Sequence, residues 1–254
     1  MRLHVHEWGE RGAPRIVCLH GVTGHGRRFR KLAEERLTGH HVLAPDLRGH
    51  GRSGWDEPWT LDAHVADLVE TFTEPAVWIG HSFGGRLVLE LIARQPELAQ
   101  GVVLLDPAIH APPEFAQQYA AQEREEKVYG SAAEAMAGWA GLFHTPREIL
   151  EEEIREHLVA NDDGRLRYRY SQPAAAQIHL ELSRRPPPVE QLTVPTLLLV
   201  GAESKLVSAA EDERFRAALG DRLEVVITPG GHSPLWDAFP ETAGAVERFL
   251  ETAR

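Results

Sequence analysis

A serine flanked by glycines, with a histidine much later in the chain, is the part of this sequence best suited to chemistry. Gly80-His81-Ser82-Phe83-Gly84 fits the pattern G-x-S-x-G and lies between an apolar run at 76–79 and a segment of helical character. A strand that turns sharply into a helix strains the central residue and presents its side chain at the top of a sheet. We therefore predict that Ser82 is a nucleophile. The alternative, a glycine-rich turn with a solvated serine, fits this strand–helix context less well.

The base that would activate Ser82 is expected late in the chain. A serine hydroxyl becomes a good nucleophile only when a neighbouring base removes its proton. His232 lies in the loop Pro229-Gly230-Gly231-His232-Ser233-Pro234, and no other histidine follows the last apolar run. Ligands gather at the carboxyl ends of strands in open α/β sheets. We therefore predict His232 as the general base, with a histidine of a surface loop as the alternative.

Backbone N–H groups beside the nucleophile would stabilise the oxyanion of a tetrahedral intermediate. One is expected from Phe83, the residue after Ser82. The second is expected from Val22, in the loop His20-Gly21-Val22 that follows the apolar run at 15–19. Gly21 stands where a Cβ would obstruct the approach of a substrate. We therefore assign the oxyanion hole to the N–H groups of Val22 and Phe83.

A sheet must bring these loops together, and the sequence predicts one. Short apolar runs alternate with helix-length segments, which is typical of α/β proteins. The predicted strands are 3–8, 15–19, 41–44, 76–79, 102–105, 196–200 and 223–227. The predicted helices are 61–72 after an N-cap at Thr60, 83–94 before Pro96, 208–219 before Gly220, and 241–252.

The segment 107–192 interrupts the alternation because no convincing strand is found in it. It is rich in Ala, Glu, Gln and Arg, and its blocks 114–128, 131–143, 146–160 and 173–184 predict about four helices. A long insertion in a compact fold is usually functional. We predict a core of residues 1–106 and 193–254 and a helical cap of residues 107–192, inserted between two core strands.

Composition limits the possible partners and the compartment. The 27 basic and 38 acidic residues give a formal net charge of −11, which argues against nucleic acid and anionic membranes. Cys18 is the single cysteine, so an intrachain disulfide is excluded. We find no signal-peptide pattern after Met1 and no apolar run of membrane-spanning length. We expect a cytoplasmic monomer or homodimer.

Two further patterns fit metal or nucleotide binding poorly. His4 and His6 share one face of a strand, but the sequence offers no third ligand that can be placed beside them. The segment 21–28 resembles a phosphate-binding loop, yet Arg27 and Arg28 replace the lysine and the hydroxyl residue of that motif. We therefore expect no metal and no cofactor.

Together these motifs resemble the α/β-hydrolase fold, in its lidded serine-hydrolase branch of esterases and lipases. The matching segments are His20-Gly21, Asp46-Leu47-Arg48-Gly49-His50-Gly51-Arg52-Ser53, Gly80–Gly85 and Gly231-His232. The resemblance implies a mostly parallel sheet of about seven or eight strands flanked by helices, with an antiparallel first strand and an inserted helical lid. It also implies that Trp139, Phe143 and Trp236 could line the substrate pocket. Plain core packing is the alternative for each of these aromatic residues.

The acid of the predicted catalytic group departs from the pattern of this family. Relatives most often carry it in a Gly-x-x-Asp arrangement, where this sequence reads Gly201-Ala202-Glu203-Ser204. Asp106 ends the strand expected beside the one that carries Ser82, and some family members use an acid there. We therefore prefer Asp106 and keep Glu203 as the alternative. If neither served, the loss of charge would leave a crippled enzyme or a binding protein.

The residues and the resemblance favour a serine hydrolase that cleaves small carboxylic esters. Such a carboxylesterase would take a small-molecule ester as its partner. The same residues would suit hydrolysis of lactones, carbon–carbon bonds or thioesters, and perhydrolysis. A weakly active ligand-binding or regulatory protein also stays open, because of Ser204.

Overall fold

The computed structural model describes residues 1–125, 127–139 and 146–252, with the side chain of Trp139 left out. Its strands are β1 (Val5–Trp8), β2 (Arg15–Leu19), β3 (His41–Pro45), β4 (Ala76–His81), β5 (Ala99–Leu105), β6 (Leu158–Ala160), β7 (Leu166–Tyr168), β8 (Thr196–Gly201) and β9 (Leu223–Thr228). Seven of them form one sheet in the order β1-β3-β2-β4-β5-β8-β9. β1 is antiparallel to β3 and the other pairs are parallel. The predicted mostly parallel sheet with an antiparallel first strand is confirmed.

The helices begin and end close to the predicted signals. They are α1 (Arg30–Glu35), α2 (Leu61–Thr71), α3 (Phe83–Arg94), α4 (Pro113–Arg124), α5 (Ala132–Trp139), α6 (Arg147–His157), α7 (Gln172–Glu181), α8 (Ala209–Leu219), α9 (Pro234–Asp237) and α10 (Phe239–Thr252). The Thr60 hydroxyl accepts a hydrogen bond from Ala63 N at 3.2 Å and caps α2, because the first N–H groups of a helix lack acceptors within it. α8 ends at Gly220, as predicted.

Helices cover both faces of the sheet, which explains its continuous apolar strands. One buried cluster joins the sheet to α2, α3 and α8. The other joins the opposite face to α1, α9 and α10. Residues 101–105 of β5 are all buried, as expected of a parallel strand covered on two sides. This rigid layer fixes the strand ends from which the site is built.

The segment between β5 and β8 contains strands that the sequence analysis did not predict. Helices α4 to α7 lie in this segment, together with an antiparallel hairpin of β6 and β7. The described part of this segment has the predicted four helices, but the expectation that it contains no strand was wrong. Each strand has three residues, too short for an alternating pattern to appear, and the apolar start of β6 reads as the end of α6. The predicted end of the second helix, at 143, lies outside the described residues.

Arginine–glutamate pairs attach α6 to the core. Glu153, only 4% exposed, accepts a hydrogen bond from Arg28 Nη2 at 2.8 Å and lies 2.8 Å from His25 Nε2. Beside it, Glu152 accepts from Arg30 Nε at 2.7 Å. Burial alone would raise the pKa of Glu153, but Arg28 and His25 hold it well below its usual value. Glu153 is therefore buried in its ionised form, and Arg28 and His25 keep it ionised.

Replacing Glu153 by glutamine should destabilise the protein strongly. The Arg28 side chain is 11% exposed, and the variant leaves it without this counter-charge. Breaking a buried pair from one side costs about 3–5 kcal/mol, and we expect a fall of that size in the free energy of unfolding. Urea unfolding at pH 7 measures it. Glu151→Gln is the control, because the Arg147–Glu151 pair is exposed and should contribute less than about 1 kcal/mol. Equal effects of the two variants would contradict this interpretation.

Candidate active site

Ser82 occupies a strained turn between β4 and α3. Its backbone has φ 54° and ψ −120°, in a region that costs most residues on the order of 1–3 kcal/mol. Glycines on both sides make the turn possible. A Cβ built on Gly80 would lie 2.5 Å from Gly84 O, and one built on Gly84 would lie 2.2 Å from Leu19 O. This tight turn therefore places the serine hydroxyl directly before the start of α3.

The structure brings Ser82, His232 and Asp106 into one hydrogen-bonded series. Ser82 Oγ lies 3.0 Å from His232 Nε2, and His232 Nδ1 lies 2.6 Å from Asp106 Oδ2. The carboxylate of Asp106 is fully buried, whereas 32% of the His232 side chain is exposed. A neutral imidazole that donates Nδ1–H to the carboxylate leaves Nε2 free to accept the serine proton. The arrangement can therefore perform base-assisted nucleophilic attack.

The carboxylate that contacts His232 is that of Asp106, at the end of β5. Asp106 N donates to Leu199 O at 2.7 Å, and Gly201 N donates to Asp106 Oδ1 at 3.4 Å. Ser204 Oγ donates to Asp106 Oδ2 at 2.6 Å. The alternative acid, Glu203, is an exposed residue. The neighbouring strand β8 thus supports Asp106 by hydrogen bonding.

The loop after β2 passes directly beside the serine. A Cβ built on Gly21 would lie 3.4 Å from Ser82 Oγ. Gly24 N donates to Gly21 O at 3.0 Å and holds the loop in this place. Phe83 is the first residue of α3, where an N–H group has no acceptor within the helix. The assignment of the Val22 and Phe83 N–H groups to an oxyanion hole stays a prediction that this geometry allows.

Comparison with known proteins decides the family of this chain. The alpha/beta hydrolase family matches residues 16–245, which is most of the sequence. The chain belongs to the alpha/beta hydrolase family. In the residues that the structure describes, no helix combines the length and the apolar character needed to cross a membrane.

Three similar proteins illustrate the range of this family. Lipase LipV of Mycobacterium tuberculosis is 38% identical over 236 residues, which covers 87% of this chain and 85% of the lipase. Pimeloyl-[acyl-carrier protein] methyl ester esterase of Xanthomonas axonopodis pv. citri is 31% identical, covering 93% of this chain and 95% of the esterase. The crystal structure of E-2-(acetamidomethylene)succinate hydrolase has a TM-score of 0.86 at 26% identity, covering 98% of this chain and 95% of that chain.

His81 supports the histidine loop of this hydrolase and was not predicted to do so. Its Nε2–H donates to His232 O at 2.8 Å, and the two rings lie 4.9 Å apart. Burial lowers the pKa of His81 to about 3, so the ring stays neutral. Its position inside the G-x-S-x-G motif was the available signal, but only the fold reveals its partner.

His20 supports the loop of the predicted oxyanion hole. Its Nδ1–H donates to Gly21 O at 2.8 Å, and its Nε2 accepts from Leu47 N at 3.0 Å. Burial holds the pKa of His20 well below its usual value. Both ring nitrogens of a neutral imidazole are thereby used, so His20 is a fixed structural link between two loops.

The predicted pocket aromatics have different outcomes. Trp236 lies in α9, is 8% exposed, and packs under the Arg28 guanidinium at 4.7 Å. It also lines a small cavity of about 20 Å³ together with His81 and Ser233. Its role in a substrate pocket stays a prediction. Phe143 and the side chain of Trp139 lie outside the described part of the chain.

Asp46 provides the third group beside His4 and His6 that the sequence analysis lacked. One ligand atom from each residue lies within 4.8 Å of the others. Asp46 Oδ1 already accepts from Gly26 N at 2.9 Å and lies 3.2 Å from His6 Nε2, and Oδ2 accepts from Arg52 N at 2.9 Å. These bonds give the cluster a structural role in joining β1 to the end of β3.

His64 should make the stability of this hydrolase depend on pH. Within the described residues neither ring nitrogen has a hydrogen-bond partner, and the ring packs edge-on against Phe83 at 5.3 Å. Burial lowers the pKa of His64 from 6.5 to about 3. The unfolded chain therefore binds a proton below pH 6.5 that the folded chain rejects. At this residue both states are neutral above pH 6.5, and the free energy of unfolding falls as the pH decreases from 6.5 towards 3.

His64→Leu should weaken this pH dependence. Between pH 6.5 and pH 5, the free energy of unfolding should fall by about 1.6 kcal/mol less in the variant than in the native protein. Urea unfolding at the two pH values measures the difference. His110→Leu is the control, because His110 is exposed. Parallel pH profiles for His64→Leu and the native protein would show that His64 has no such effect.

Proposed function

We propose that this alpha/beta hydrolase cleaves small carboxylic esters through an acyl-enzyme on Ser82. The observation that carries the proposal is the series of contacts from Ser82 Oγ through His232 to Asp106, at 3.0 and 2.6 Å. Relatives of high coverage named as a lipase and as a methyl ester esterase support ester bonds as the target. Serine, imidazole and carboxylate in this order form an activated nucleophile.

The first half of the reaction acylates the serine. Ser82 Oγ attacks the ester carbonyl while His232 Nε2 takes its proton, and Asp106 stabilises the resulting imidazolium. The N–H groups of Val22 and Phe83 then hold the oxyanion of the tetrahedral intermediate. The C–O bond to the leaving group breaks as His232 returns the proton to the leaving alkoxide, and an alcohol departs.

The second half hydrolyses the acyl-enzyme. His232 Nε2 accepts a proton from a water molecule, whose oxygen attacks the acyl carbon. The intermediate collapses, the proton passes from His232 to Ser82 Oγ, and a carboxylic acid is released. This mechanism requires no cofactor, because nucleophile, base, acid and oxyanion donors all belong to the chain.

We assign substrate selection to the cap, residues 107–192, and the chemistry to the core, residues 1–106 and 193–254. The cap begins directly after Asp106, so the segment that carries its helices starts beside the site. Gly51 N donates to Arg169 O at 2.8 Å, which attaches the cap to the loop after β3. A cap held this close would limit the size of the acyl group that reaches Ser82.

The competing interpretation, a weakly active binding protein, depended on Ser204. A serine at that position cannot supply the charge that an imidazolium needs. Asp106, at the end of the neighbouring strand β5, supplies a carboxylate instead, because its Oδ2 lies 2.6 Å from His232 Nδ1. This observation favours the enzyme over the binding protein.

Turnover of p-nitrophenyl esters of increasing acyl length tests the proposed function. We expect hydrolysis of the shorter esters, with complete loss of activity after treatment with a serine-directed organophosphate. The native protein incubated without the reagent is the control. Lack of turnover on every ester, together with no reaction with the organophosphate, would overturn the proposal and favour the binding protein.

A further inference from the structure

Ser204 contacts the same carboxylate oxygen that His232 uses. Its Oγ–H donates to Asp106 Oδ2 at 2.6 Å, and His232 Nδ1 lies 2.6 Å from that oxygen. Ser204 lies in the turn after β8, whereas Asp106 ends β5, so 98 residues separate the two. Two short hydrogen bonds thus converge on one oxygen of a fully buried carboxylate.

The turn after β8 fixes the direction of the Ser204 hydroxyl. Leu206 N donates to Ser204 Oγ at 3.3 Å, and the Ser204 hydroxyl in turn donates to Asp106 Oδ2 at 2.6 Å. Ser204 N donates to Gly201 O at 3.0 Å and closes the turn. The hydroxyl therefore reaches Asp106 from a constrained backbone.

Asp106 needs this support for two physical reasons. A buried carboxylate loses its hydration, and hydrogen bonds from neighbouring groups must replace it. Gly201 N, at the end of β8, donates to Oδ1 at 3.4 Å, and the Ser204 hydroxyl, in the turn after β8, donates to Oδ2 at 2.6 Å. A hydrogen bond to a charged oxygen is also among the stronger ones, so it restricts rotation of the carboxylate.

We propose that Ser204 is a positioning residue for the reaction: its hydroxyl holds Asp106 Oδ2 in line with His232 Nδ1. The proposal rests on the proposed function, because it acts through Asp106 and His232. Without the hydroxyl, the carboxylate of Asp106 rotates more freely. Its Oδ2 then accepts one hydrogen bond fewer, so it attracts the His232 imidazolium more strongly. The ester is not contacted by Ser204 in this scheme.

Ser204→Ala should change kcat and the pH profile but not KM. We expect kcat on a p-nitrophenyl ester to fall about tenfold or more, as a lost hydrogen bond to a charged group implies, with KM unchanged. The acid limb of the kcat/KM profile should move to higher pH, because the imidazolium is held more strongly. Rates are expressed per active site, titrated with an organophosphate, so that misfolded protein does not contribute.

Three further variants separate positioning from a structural effect. Ser204→Thr keeps a hydroxyl and should recover most of the rate. Ser204→Ala added to Asp106→Asn should cause no additional loss, since the effect passes through the carboxylate. Ser208→Ala removes the N-cap of α8 a short distance along the chain and should affect stability rather than kcat or the pH profile.

The outcomes distinguish this proposal from the proposed function. Native kcat and an unshifted pH profile in Ser204→Ala, in a protein whose native form hydrolyses esters and titrates with the organophosphate, would overturn the role of Ser204 alone. A loss that disappears when rates are expressed per active site would overturn it too, since it would reflect folding. If the native protein fails to titrate, the proposed function itself fails.

Discussion

Asp106→Asn is expected to lower kcat on small esters by about 10⁴ while the fold persists. Asparagine matches the shape of aspartate but cannot stabilise an imidazolium. Its amide group can also favour the wrong tautomer of His232, whose Nδ1 lies 2.6 Å from Asp106 Oδ2 in the native protein. Steady-state kinetics with p-nitrophenyl acetate measures the loss, and near-native circular dichroism shows that the fold is retained.

Glu203→Gln is the matched control for the choice of acid. Glu203 is exposed and lies in the turn after β8, so its substitution should change kcat less than twofold. If Glu203→Gln were the inactive variant and Asp106→Asn the active one, the assignment of the acid would be wrong.

Ser82→Ala should remove nearly all hydrolysis, with a fall in kcat on the order of 10⁶. The hydroxyl is the attacking group, so no other side chain can carry the acyl intermediate. The alanine keeps a Cβ in the strained turn at φ 54°, and we therefore expect little change in stability. Kinetics on the same ester, with thermal unfolding of both proteins, measures the two effects.

The double variant Ser82→Ala/His232→Ala provides the control for this second prediction. Residues that act as one unit lose their effects together rather than additively. The double variant should therefore be no slower than Ser82→Ala alone. A further large loss in the double variant would mean that His232 works independently of Ser82.

The turn at Ser82, the ends of the helices and the strands of the sheet could be predicted, because each has a local sequence signal. A G-x-S-x-G motif between an apolar run and a helix indicates the strand–helix turn that the structure has at Ser82. Helix ends at Thr60 and Gly220 followed from capping chemistry, and the sheet followed from apolar runs. Asp106 was preferred over Glu203 because it ends the strand expected beside the one that carries Ser82, and because the resemblance to the family allows an acid there.

Contacts between distant segments were not predictable. The hydrogen bond from Ser204 to Asp106 crosses 98 residues, and the one from Arg28 to Glu153 crosses 125. No local pattern indicates such partners. The neutral state of His81 likewise depends on burial that only the packed fold provides. The β6–β7 hairpin was missed because its strands are too short for a periodic signal.

Rapid-quench mass spectrometry of the protein mixed with p-nitrophenyl acetate tests the central claim most directly. We predict one acetyl group per chain early in the reaction, mapped to the peptide that carries Ser82 and absent from Ser82→Ala. Acetylation at another residue, or steady turnover with no acyl-enzyme on Ser82 at any quench time, would contradict the account.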